Sequence, residues 1–206
     1  MLQKQTVAPA TLELLKAISS IAELKDFFLA GGTSLALQIG HRISVDLDFI
    51  GKRDFTTQEI LDLLQDFKPL SIISQNKNIL ILNVKGVKVD FVNYIYPNIS
   101  SPVFEEGVRL LSIHDIGAMK LAAIAGRGRK RDFFDLFFLL QHFTLKQLVE
   151  FYNRKFEDGS ELMVARSITY FDDADEDEMV VLIDKSISWE ETKVKIRSEV
   201  KTLFGF

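Results

Sequence analysis

Asp46 and Asp48 stand one residue apart in Val45-Asp46-Leu47-Asp48-Phe49, and Asp90 stands in Val87-Lys88-Val89-Asp90-Phe91-Val92. Alternate side chains of a strand share a face, so Asp46 and Asp48 are expected side by side, with Val45, Leu47 and Phe49 opposite. At a separation of about 6 Å and an effective dielectric near 20, two such carboxylates repel by on the order of 3 kcal/mol. A cation should offset this. A hard divalent ion suits a set of oxygen donors, and magnesium commonly takes one or two carboxylates together with substrate phosphates. If the strand carrying Asp90 lies beside the first, three acids converge. Upstream, Gly31-Gly32-Thr33 falls at a strand-to-helix junction, where backbone N–H groups and the helix N-terminus can hold a phosphate. A lone Asp-x-Asp is more often the solvated face of an edge strand, and a glycine pair is often just a tight turn. Strand, Gly-Gly-Thr, helix, then strand with Asp-x-Asp is a more specific pattern.

The elements that must position these residues follow from periodicity. Apolar residues at helical spacing (Leu12, Leu15, Ile18, Ala22) predict an opening helix over 11–24. A buried strand is expected over 27–30, then a helix capped by Thr33 and running to residue 39. The next strand is expected over 44–50. Thr56 and Glu59 have capping-box spacing for a helix reaching about residue 67. The runs 79–84 and 87–92 are β-rich and flank Lys85-Gly86, a hairpin signal. From residue 112 the pattern becomes helical, over 112–125, 130–142, 144–156, 160–171 and 189–204. The expectation is an α+β fold: a mixed β-sheet with flanking helices over 1–105, then a helical region over 106–206 packed on or beside it.

Composition narrows the function classes. With 206 residues, 47% hydrophobic and 26% charged, the chain can bury a substantial core. It has no cysteine, and its three histidines are scattered, so neither disulfides nor a zinc site are expected. No secretory signal and no apolar run of membrane-spanning length is seen, which points to the cytoplasm and no membrane partner. The net charge of −4 argues against a DNA-coating surface but leaves room for a local basic patch.

Lys120 lies on the apolar stripe of Ile113, Ile116, Gly117 and Ile124, and either snorkels to the surface or serves a site. Asp132 and Asp135 are three apart on the next helix, and either form structural ion pairs or join the site. The basic loop 127–131 is a solvated capping cluster or a set of phosphate contacts to RNA, and Arg42 is similarly ambiguous. The phenylalanines 133, 134, 137 and 138 read as core. The acidic run 172–178 reads as a solvated loop.

The motif Gly-Gly-Thr followed by Asp-x-Asp resembles the nucleotidyltransferase superfamily of the DNA polymerase β type. More closely, "LAGGTSLALQIGHRISVDLDF" is similar to the AbiEii/AbiGii abortive-infection toxin family, as are Val89-Asp90-Phe91, Lys120 in "HDIGAMKLAAIAGRGRKRDFFDL", Arg131-Asp132-x-x-Asp135, "YFDDAD" and the segment at Trp189. The chain departs from the family at Glu176-Asp177-Glu178, where a proline is often expected. The resemblance implies a nucleotidyltransferase-type fold and a magnesium-dependent transfer of a nucleotide from a nucleoside triphosphate to an RNA, tRNA being one candidate acceptor, countered by a cognate antitoxin protein. It implies that Asp46, Asp48 and Asp90 hold two magnesium ions, that Gly31, Gly32, Thr33 and Lys120 bind the nucleotide, and that Asp132 and Asp135 belong to the active site, Asp135 either directly or by orienting Lys120. Asp90 would also act as, or support, the base. Two other readings stay open: a phosphotransferase using a nucleoside triphosphate, and a non-catalytic nucleotide-binding module.

Overall fold

In the computed structural model, which describes residues 1–205, the chain forms two compact units. The first comprises residues 1–40, 44–97 and 101–111, and the second residues 41–43, 98–100 and 112 onward. Phe206, the last residue of the expected helical region, lies outside the described residues.

The first unit is built on a seven-stranded mixed sheet. Its strands are β1 (Phe28–Leu29), β2 (Leu47–Gly51), β3 (Leu70–Gln75), β4 (Ile79–Val84), β5 (Val87–Asn93), β6 (Val103–Glu105) and β7 (Val108–Leu110). Their spatial order is β3-β4-β5-β2-β1-β7-β6. β2 runs parallel to β5 and antiparallel to β1, and β1 runs parallel to β7. One face of the central strands is apolar: Leu47, Phe49, Leu80, Leu82, Val89 and Phe91 are buried, and Phe49 stacks on Phe91 with ring centroids 5.3 Å apart. Each such side chain contributes about 1.5–3 kcal/mol by leaving water, which pins the register, since a one-residue slip would expose the whole set.

Helix α1 (Pro9–Ser20) starts with Pro at its first position, where the missing N–H costs nothing, and packs against β7. It is shorter than expected, because residues 22–24 form a separate 3-10 turn. Helix α2 (Gly31–Ile39) begins at the first glycine with Ala30 as its N-cap, so Thr33 is inside the helix rather than capping it. Thr56 does cap α3 (Thr57–Leu63), accepting from the Glu59 N–H at 3.1 Å. The Lys85-Gly86 turn has positive φ at both positions, the type I′ geometry that matches strand twist. β2 starts only at Leu47, so Val45 and Asp46 precede it and Val45 is exposed rather than buried.

The second unit is helical: α4 (Ile113–Gly126), α5 (Lys130–Leu139), α6 (Leu145–Lys155), α7 (Glu161–Ser167), α8 (Asp172–Asp175) and α9 (Trp189–Phe204). α4 packs against α5, α6 and α7, and α5 against α9. Ser112 caps α4, while Thr144 and Ser188 form full capping boxes on α6 and α9. The four phenylalanines of α5 are core or near-core residues, as expected; Phe133, Phe134 and Phe171 surround Trp189. The segment 41–43 joins this unit by pairing with 181–183, Ile43 donating to Val181 and Ile183 to His41. No helix among the described residues is long and apolar enough to cross a membrane.

Candidate active site

In the first unit, Asp48 and Asp90 are aligned neighbours on the parallel strands β2 and β5. In-register residues of adjacent strands project to the same side, so the apolar residues that fill the opposite face put these two acids together. β1 holds β2 from the other side, the Ala30 N–H donating to the Asp48 carbonyl at 2.7 Å. There the chain turns into α2 at Gly31, with φ +65°. A Cβ on Gly31 would lie 2.1 Å from Oδ2 of Asp48, so glycine is required for its space as well as its conformation. The Asp48 carboxylate thus sits against the first residue of α2.

Thr33 is buried, and its hydroxyl contacts the Asp46 carbonyl and the Ser44 hydroxyl, the latter at 2.8 Å. With a single proton, Thr33 donates to the carbonyl and accepts from Ser44. Its side chain therefore ties α2 to the segment entering β2. Asp46 is not delivered by strand alternation, because it stands before the strand. Strand register brings together Asp48 and Asp90 but does not place Asp46 with them, and among the described residues no group of three or more His, Asp or Glu is placed to hold a metal ion.

Asp90 is engaged on one side only. Oδ2 accepts from the Lys88 ammonium, while Oδ1 is buried and has no hydrogen-bond partner among the described residues. A buried carboxylate oxygen left in this state is costly. The donors here are all oxygens, one of them orphaned, and Gly31 leaves the flank of Asp48 without a side chain. This set fits magnesium, whose remaining positions go to water and substrate phosphates.

The second unit holds a separate buried charge network. Asp135 is fully buried and accepts from His41 Nε2 at 2.7 Å, from Arg42 Nε and Nη2 at 2.6 and 3.0 Å, and from the Lys120 ammonium. Lys120 also donates to Asp132 at 3.0 Å, and Arg127 forks onto Asp132 at 3.0 and 3.3 Å. Lys120 is only 6% exposed, so it does not snorkel. Burial alone would raise both carboxyls; Arg42 and Lys120, with hydrogen bonds from His41 and Arg42, overcome it and hold Asp135 well below the usual carboxylate range. Lys120 and Arg127 likewise hold Asp132 down. Burial lowers His41, opposed by Asp135. A neutral His41 donating through Nε2 leaves Nδ1 bare, and Nδ1 has no hydrogen-bond partner among the described residues.

Arg42 is therefore a bidentate partner of Asp135, and His41 is a third donor that sequence reasoning passed over; the signal was the His-Arg pair just ahead of the Asp-x-Asp. The basic loop 127–131 is also engaged. Arg129 pairs with Asp177 at 3.1 Å, and Lys130 donates through Nζ to the carbonyls of Asp175 and Asp177 and through its N–H to the Asp177 carboxylate. The acidic run is solvated as expected, with all its acids but the half-buried Asp177 exposed, but it is not simply a loop: 172–175 form α8, and Asp175 and Asp177 clasp the basic loop. Asp115, likewise unmarked by sequence, is fully buried and accepts from Lys155, Ser112 and the N–H groups of Ile99 and Ser100.

A sheet of this order, with paired acids beside a glycine-led helix, has the nucleotidyltransferase fold. The chain superposes on MenT4, a nucleotidyltransferase toxin of Mycobacterium tuberculosis H37Rv, with a TM-score of 0.63 at 16% identity, covering 94% of this chain and 82% of that one. It superposes on JHP933 of Helicobacter pylori with a TM-score of 0.57 at 19% identity, covering 95% and 92%. At the level of sequence, the family model described as nucleotidyl transferase AbiEii toxin, type IV toxin–antitoxin system, matches residues 13–202, and the chain belongs to that family. An uncharacterized protein of Aquifex aeolicus (strain VF5) is 33% identical over 195 residues, covering 92% of this chain and 93% of the relative.

Proposed function

We propose that this chain is a magnesium-dependent nucleotidyltransferase toxin that transfers a nucleotide from a nucleoside triphosphate to an RNA, tRNA being the leading acceptor, in the cytoplasm and under the control of a cognate antitoxin. The observation that supports it is the alignment of Asp48 with Asp90 beside Gly31, within a family of nucleotidyltransferase toxins. Asp48 and Asp90, together with Asp46, would hold magnesium, which would neutralise phosphate charge and make the acceptor hydroxyl more acidic. The N–H groups of the Gly31-Gly32 turn receive the triphosphate at the start of α2. Asp90, whose buried Oδ1 has no hydrogen-bond partner among the described residues, would orient the acceptor hydroxyl and take its proton. A bond then forms from the acceptor oxygen to the α-phosphorus as the bond from that phosphorus to pyrophosphate breaks.

Thr33 supports this site through the backbone of Asp46. Lys120, Asp132 and Asp135 are read as a positioning network that fixes α4 against α5, and a direct contact of Lys120 with phosphate is tested separately below.

The test is incubation of the protein with each labelled nucleoside triphosphate, magnesium and total cellular RNA. Label on RNA with release of pyrophosphate, abolished by Asp48→Ala together with growth inhibition, is the expected result. Release of a nucleoside diphosphate with label on protein or a small molecule would instead identify a phosphotransferase. Binding of nucleotide with no turnover would identify a binding module.

A further inference from the structure

Asp90 and Asp135 are both acids with buried oxygens, but they are treated in opposite ways. Asp135 is saturated by His41, Arg42 and Lys120. Asp90 has a single ammonium, from Lys88, on Oδ2, and nothing on Oδ1 among the described residues. Lys88 lies two residues before Asp90 on β5, and strand alternation puts both on the same face. The Lys88 side chain is 40% exposed, against 15% for Asp90.

An ion pair that is exposed on its cationic side adds little stability, and this one leaves the second carboxylate oxygen unsatisfied, so stability does not account for it. A lysine, moreover, is a compact charge on a flexible stem, without the fork by which arginine locks a carboxylate. The arrangement suits a cation that holds Asp90 and can leave it.

We infer that Lys88 is a tethered counter-cation that occupies Asp90 in the metal-free protein, that a divalent ion must displace it to bind, and that Lys88 thereby sets how tightly the site takes metal. The inference rests on the proposed metal-dependent reading of Asp48 and Asp90. Displacement moves no covalent bond: the ammonium exchanges one carboxylate oxygen for water or for a phosphate oxygen of the incoming nucleotide. With Lys88 in place, metal binding without nucleotide is weakened, and nucleotide supplies both the missing ligands and a new partner for the lysine.

Manganese titration of the full chain without nucleotide, followed by the electron paramagnetic resonance signal of free Mn2+, tests this without an activity assay. Lys88→Met, confirmed as folded by its melting curve, is expected to bind Mn2+ about ten-fold more tightly, through loss of one competing and repelling unit charge. Lys88→Gln serves as a second variant and is expected to shift in the same direction. Lys88→Arg should bind more weakly than Lys88→Met. If wild type binds Mn2+ in a manner abolished by Asp48→Asn, yet Lys88→Met and Lys88→Gln bind no more tightly, the inference is overturned while the proposed function stands. If wild type, Asp48→Asn and Asp90→Asn all fail to bind Mn2+ with or without nucleotide, the metal-dependent reading falls, and this inference with it.

Discussion

Gly31 and Asp48 occupy one another's space: a single methyl group on the glycine would stand 2.1 Å from Oδ2 of the aspartate. The turn into α2 and the carboxylate on β2 are therefore one construction, in which a side chain at residue 31 must displace the carboxylate.

Gly31→Ala is expected to lower stability by about 1–2 kcal/mol through its positive φ, and to reduce nucleotide transfer far more than that loss accounts for, by pushing the Asp48 carboxylate aside. Gly86→Ala is the comparison: it has the same strained sign of φ (+85°) but nothing within 4 Å of the added Cβ. It should lose similar stability in a urea melt and retain full transfer. Equal activity in the two variants would sever Gly31 from the site.

Asp48→Asn and Asp90→Asn preserve shape and remove charge. Loss of an outer partner of a metal site costs about 10–100-fold, so loss of either carboxylate is expected to cost at least about a hundred-fold in transfer rate. Melting temperatures should stay near wild type. A large stability loss for Asp90→Asn with unchanged transfer would return that residue to a structural role.

Lys120→Met is expected to destabilise the protein by about 3 kcal/mol, since it removes the ammonium that two fully buried carboxylates share and leaves Asp135 to His41 and Arg42 and Asp132 to Arg127. Denaturant midpoints measure it directly. A variant of near wild-type stability whose nucleotide affinity collapses would instead make Lys120 a phosphate ligand.

Acid should weaken the fold in two stages. His41 has a folded pKa lowered by burial, so its contribution is complete above the unfolded value of about 6.5 and is lost as pH falls through the folded value. Asp132 and Asp135 are also depressed; their contribution is complete above about pH 4 and is lost below it. Urea midpoints at pH 8, 6 and 5 should decline for wild type and decline less steeply for His41→Gln, which starts from a lower value. Parallel curves would remove His41 from the first stage.

The parts of this fold legible from sequence are those whose local chemistry agrees with their tertiary setting. Thr56 caps α3 where its spacing to Glu59 said it would, and the Lys85-Gly86 turn joins β4 to β5 in the expected hairpin. β3 was missed because its Ile72 and Ile73 lie together on an exposed edge strand with a register shift, which erases alternation. β6 and β7 were missed although Glu106-Gly107 carries the same pair of positive φ values as Lys85-Gly86, because three-residue strands show no period. Asp48 and Asp90 were legible as partners from their apolar neighbours. Asp46 was assigned to the strand because alternation was extended three residues ahead of its start at Leu47. The roles of His41, Arg42 and Asp115 depend on contacts far along the chain; the His-Arg pair ahead of the Asp-x-Asp was the one local signal for the first two, and Asp115 had none.

The parallel pairing of β2 with β5 has a consequence for how the protein is made. Its two acids come from opposite ends of a crossover containing α3 and the β3–β4 hairpin, and loop closure must be met before such pairing is rewarded. The hairpin of β4 and β5 can form on its own, but Asp48 gains its neighbour only when that hairpin docks on β2. A ribosome-bound fragment ending before β5 therefore lacks half of the acid pair, and under the proposed function it stays inactive until the sheet has closed.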